Sequence, residues 1–100
     1  MRPDKTLIEE RFKETIDAWV ADGRPTGHFI AAVLSNDLRE AIGRADEQAL
    51  DNLPHIVAYI FNDCPSSCWG SPQKVRDYAK WIAKPENQAE IARVQKARGF

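Results

Sequence analysis

Apolar positions along the chain recur with a helical period and nowhere alternate as in a strand, so every predicted element is a helix. In the first, residues 3–22, Ile8, Phe12, Thr15, Ile16 and Trp19 share one face; a proline opens it and Gly23 closes it. Gly23-Arg24-Pro25-Thr26-Gly27 is a turn by composition, with Thr26 the expected N-cap of the next helix. That helix covers residues 28–44, where Ile30, Val33, Leu34, Leu38, Ala41 and Ile42 form one continuous stripe. Asp37 falls inside the stripe. Either its carboxylate is buried with partners, or the helix breaks at Ser35-Asn36-Asp37 and Asp37 caps a new helix, with Glu40 three residues on. The unbroken apolar phase favours a single helix.

A third helix, residues 46–62, starts on Asp46 as N-cap and is expected to bury Leu50, Leu53, Ile56, Val57, Ile60 and Phe61, with Cys64 following in phase. Pro54 interrupts it and must kink it or start a second helix. His55 lies opposite the stripe and should face solvent. Residues 63–70 read as a loop. Ser71-Pro72 is a strong helix start, an N-cap serine with proline at the first helical position. Val75, Tyr78, Ala79 and Ile82, flanked by Trp81, make the buried side of that helix, which ends or bends at Lys84-Pro85. Residues 86–98 carry only Ile91 and Val94 as large apolar side chains, so a peripheral or fraying helix is expected there. The pattern predicts one all-α domain over residues 1–100, a small bundle of four or five short helices.

Composition agrees with that picture. Of 100 residues, 43% are hydrophobic and 29% charged, enough for one core without metal or disulfide staples. No apolar run approaches the ~18–20 residues of a membrane span. Met1-Arg2-Pro3-Asp4-Lys5 has no apolar stretch behind it, and neither Arg2 nor the closing Ala97-Arg98-Gly99-Phe100 suits a lipid anchor, so a cytosolic protein is expected. The net charge of −1 hides an asymmetry: residues 1–71 carry 7 Lys/Arg against 12 Asp/Glu, and residues 72–100 carry 7 against 3. The two parts either make a dipolar surface or neutralise one another where they pack, and neutralisation is the reading preferred from sequence.

Candidate chemistry is sparse. Cys64 and Cys68 form a C-x3-C pair, but with His28 and His55 as the only histidines there is no zinc-finger spacing, and two reduced thiols are expected. Glu9/Glu10 and Asp46/Glu47 sit beside basic residues or at helix starts, where surface and dipole roles explain them. Phosphate loops, nucleophile elbows and metalloprotease motifs are absent from the sequence, so neither catalysis nor a cofactor or metal is expected. Arg76, Lys80 and Lys84 form a basic ridge at i, i+4, i+8, with Lys74, Arg93, Lys96 and Arg98 nearby; it is a solvated face or a nucleic-acid contact, and the pI of 6.1 argues against the latter. Trp69-Gly70, in a Cys/Ser/Gly loop, either closes the core from outside or anchors a partner.

Two stretches carry a resemblance. Residues 25–46 read P-x-G-x-F-x-x-A-V-L-x-N-D-L-x-E-A-x-x-R-A-D, and residues 68–75 read C-W-G-S-P-x-x-V. Together they resemble a family of small, uncharacterised proteins of tailed phages and prophages, over about residues 19–83. Pro54 departs from that pattern, which has an ordinary helix residue there. The resemblance implies a phage-encoded protein acting in a bacterial cytoplasm. With no catalytic constellation in view, the expected function is non-enzymatic binding of another protein: a host factor, a defence or CRISPR-type complex, or a phage machine. Trp69, Gly70, Asn36 and Asp37 are the candidate contact residues, and self-association into a homodimer is allowed. The alternative is a nucleic-acid-binding regulator using Arg76, Lys80 and Lys84.

Overall fold

A computed structural model describes residues 3–97, and the helical expectation holds across them. Six α-helices follow in order: α1 (Glu10–Asp22), α2 (His28–Leu34), α3 (Leu38–Arg44), α4 (Glu47–Asp63), α5 (Pro72–Ile82) and α6 (Pro85–Ala97). Single 3-10 turns at Lys5–Leu7 and Ser66–Cys68 precede α1 and α5. The described residues contain no strand, and none of their helices is long and apolar enough to cross a membrane.

Local chemistry fixes most of the boundaries. Asp4 caps the first turn by accepting the Thr6 N–H, so α1 begins only at Glu10, later than periodicity alone suggests. Gly23 closes α1 in the left-handed region at φ +75°, its N–H donating to the Trp19 carbonyl at 2.9 Å. A Cβ there would lie 2.7 Å from Ile82 Cγ2. The N-cap of α2 is Gly27 rather than Thr26: the Gly27 carbonyl receives the Ala31 N–H, while the Thr26 hydroxyl is spent on that same carbonyl. Asp46 and Ser71 cap α4 and α5 as expected, accepting the N–H groups of Ala49 (2.7 Å) and Lys74 (3.1 Å). Pro54 neither splits nor ends α4, which runs past it as one helix.

The expected helix over residues 28–44 is two helices. Asn36 takes φ +59°, its N–H reaches the Val33 carbonyl, and the Asp37 N–H reaches the Ala32 carbonyl at 2.9 Å. This is a Schellman stop with asparagine in the left-handed position. Asp37 then starts α3, its Oδ1 accepting the Glu40 N–H at 3.1 Å. The buried carboxylate favoured from the apolar phase is therefore corrected: Asp37 is exposed and caps a helix. Three local bonds, two within the backbone and one to the Asp37 side chain, outweigh the phase of the stripe.

The core is assembled around α1, which packs on α4, α5 and α6, while α2 and α3 pack on each other. Phe12, Ile16, Trp19 and Val20 of α1 meet Ile30 and Leu34 of α2, Ile56, Tyr59 and Ile60 of α4, Tyr78 and Ile82 of α5, and Ile91 of α6. Ile91 anchors α6, so the peripheral segment is docked; Arg98 lies outside the described residues. Three polar ties lock the packing. Trp19 Nε1 donates to the Cys68 carbonyl at 3.2 Å, and the Tyr78 hydroxyl to the Val20 carbonyl at 2.5 Å. Buried Asn52 accepts the Glu9 N–H and donates to the Leu7 carbonyl, fastening the N-terminal turn to α4.

Candidate functional site

Helix α4 presents two apolar arcs. Ala49, Asn52, Ile56, Tyr59 and Ile60 are buried, whereas Leu50, Pro54, Val57 and Phe61 lie on a second arc, roughly 140° away at 100° per residue. Sequence periodicity merged them into one core stripe. The second arc faces out: Leu50 is 45%, Val57 48% and Phe61 68% exposed. Helix α3 continues it. The break at Asn36-Asp37 turns α3 so that only Ala41 is buried, leaving Leu38 68% and Ile42 45% exposed, again contrary to their assignment to the core.

Val33, Leu38 and Ala41 line a hollow of about 60 Å³ together with Leu53 and Val57, which places α3 beside α4; Asn36 and Asp37 form its polar end. Phe61, one turn beyond Val57, meets Trp69 edge to face, with ring centroids 6.0 Å apart at 67°. Trp69 is half-buried against the core, so it closes the core and borders the exposed surface at once; its Nε1 is buried and has no acceptor among the described residues. The Gly70 N–H donates to the Leu34 carbonyl at 2.7 Å, joining the Trp69-Gly70 loop to the end of α2. Of the four expected contact residues, Asn36 and Asp37 line the α3–α4 hollow, Trp69 meets Phe61, and Gly70 is tied to the end of α2. Sequence reasoning missed the residues that make the face, Leu38, Ile42, Leu50, Val57 and Phe61. The available signal was an apolar arc on α4 too wide for one buried side, and an Asn-Asp stop-start inside the preceding stripe.

Burial acts on three titratable side chains of the interior, Tyr59, Cys64 and Tyr78. Cys64 and Cys68 are free and buried, and the hydrogen bond between the thiols, together with burial, pushes the Cys64 thiol well above its ordinary value. Burial and the hydrogen bond to Asp17 raise the Tyr59 hydroxyl, and burial raises that of Tyr78. His28 is exposed, and half-buried His55 bonds through Nδ1 to the Asp4 carbonyl at 2.9 Å, so it is tied down rather than free in solvent. Among the described residues no three His, Cys, Asp or Glu side chains converge on a metal position. An apolar cleft of about 320 Å³ lies between Trp19, Pro25, Ala31, Leu34 and Val75, with His28 its one titratable lining residue.

The basic ridge is shorter than i, i+4, i+8 spacing implies. Arg76 and Lys80 are exposed on α5, but α5 ends at Ile82 and Lys84 sits in the turn before α6, where Pro85 restarts the helix. The acidic and basic parts of the chain share no close ion pair among the described residues, although α1 packs on α6. The ion pairs among the described residues all fall between Lys5 and Asp63, and none involves Lys74, Arg76, Lys80, Lys84, Arg93 or Lys96. No family model matches the chain, and comparison with curated proteins and with solved structures finds no match.

Proposed function

We propose that this is a non-enzymatic, phage-encoded protein that acts in the bacterial cytoplasm through protein–protein contact, with the α3–α4 face as the contact. One observation carries the reading: five large apolar side chains of α3 and the outer arc of α4 lie 45–68% exposed, with Leu38 and Val57 lining one hollow beside Asn36 and Asp37 and with Phe61 against Trp69. Taking about 200 Å² for a large side chain in the open, they expose roughly 500 Å², in the range where the largest patch on a monomer serves binding. The phage and bacterial setting rests on the resemblance of residues 25–46 and 68–75, and favours a host factor, a defence complex or a phage machine as target. The test is capture from host lysate by tagged wild type, Phe61→Glu and Leu38→Glu. A stoichiometric protein recovered by wild type and lost by both variants supports the reading; equal recovery by all three sinks it.

A second reading has its own observation. The cations of α5 and α6 make no ion pair among the described residues, which leaves Arg76, Lys80 and Lys84 available to a nucleic-acid backbone.

A further inference from the structure

We infer that the α3–α4 face is covered by a second copy of this chain, in a twofold dimer in which the two α4 helices run antiparallel. The inference rests on the contact reading above and names the occupant. Size is the first argument. A stable interface takes about 800 Å² from each partner, and in homodimers roughly 65% of that area is apolar. The roughly 500 Å² exposed by Leu38, Ile42, Leu50, Val57 and Phe61 matches that apolar share, and α3 and α4 supply all of it. Pattern is the second argument. Leu50, Pro54, Val57 and Phe61 follow at spacings of four, three and four, the seam that one helix offers another, and none of them carries a charge that pairing would strand.

A twofold contact uses the same patch on both chains, so it requires a surface that complements itself. Reversing α4 about the middle of the stripe sets Leu50 against Phe61 of the partner subunit, a smaller side chain against a larger one. The axis then passes between Pro54 and Val57. Leu38 and Ile42 flank the seam from α3, since Leu38 already shares a hollow with Val57. A phage or host target that uses the same face then has to displace the second copy.

Light scattering on the full-length protein at about 50 µM tests this, in the range where a standard interface is occupied. The wild type is expected at twice the 11.3 kDa chain mass, and Phe61→Glu and Leu38→Glu as monomers with unchanged helical circular dichroism. A second variant stands independently of the charge substitutions. Val57→Cys, close to the axis, should cross-link to itself under mild oxidation. Leu50→Cys should not, because its two copies would be displaced by about 16 Å along the helices at 1.5 Å per residue. A wild type that stays monomeric overturns the second copy but not the contact reading, which lysate capture judges separately. A dimer that survives both Glu substitutions, or that fails to cross-link through Val57→Cys, also overturns it.

Discussion

At the scale of single residues, Asn36 and Asp37 decide more than their size suggests. Asparagine tolerates the left-handed region, and aspartate accepts a hydrogen bond from the first turn of a helix, so the pair ends α2 and starts α3 within two positions. Both capacities were legible in the sequence, and so was the conflict between Asp37 and its apolar surroundings. What periodicity could not weigh was the asparagine stop, because it acts through backbone bonds to Ala32 and Val33 that no spacing of side chains reveals. Since Asp37 is an exposed cap, Asp37→Ala should cost about 1 kcal/mol. Urea melts of the two proteins measure this. A loss of several kcal/mol would point instead to a buried, paired carboxylate.

Among the elements, the caps at Asp46, Ser71 and Gly23 and the buried faces of α1 and α2 were readable, whereas the Gly27 cap and the outer faces of α3 and α4 were not. Asp46, Ser71-Pro72 and Gly23 stand where the sequence puts helix ends, since capping is a contact between neighbours in the chain. The split of α4 into a buried arc and an exposed arc depends on where α1 and α3 lie, which is a tertiary fact. Asn52 is the clearest instance: a polar residue on the buried arc, placed there by backbone groups of Leu7 and Glu9 more than forty residues away. Pro54 marks the opposite arc. Its ring removes the N–H that would reach the Leu50 carbonyl and crowds that carbonyl, yet α4 continues because its other face is held by the core. Exposed Pro54 therefore contributes strain without contributing core contacts, and Pro54→Ala should stabilise the fold by roughly 1–3 kcal/mol. Chemical denaturation at equal protein concentration checks it; a destabilised variant would show that the proline shapes α4 for its neighbours.

Over the whole molecule, the excess of basic residues and the apolar face occupy different parts of the chain. The apolar face belongs to α3 and α4, the ion pairs among the described residues lie between Lys5 and Asp63, and of the described Lys and Arg side chains outside those pairs all but Arg39 belong to α5, the turn after it, and α6. A nucleic-acid reading requires that the excess of basic residues after position 71, which the near-neutral total conceals, act as surface potential. Its strength can be bounded. If Arg76, Lys80 and Lys84 each contact one phosphate, log affinity for duplex DNA should fall against log salt with a slope of about −3, roughly a fiftyfold loss between 50 and 200 mM. The double substitution Arg76→Glu with Lys80→Glu should leave folding intact, since exposed charges contribute within about ±0.5 kcal/mol each. It should also flatten that salt dependence. Fluorescence anisotropy with a labelled duplex reads both quantities. Binding that ignores salt, or none at 50 mM, removes the nucleic-acid reading and leaves the cations of α5 as a solvated face opposite in sign to the rest of the molecule.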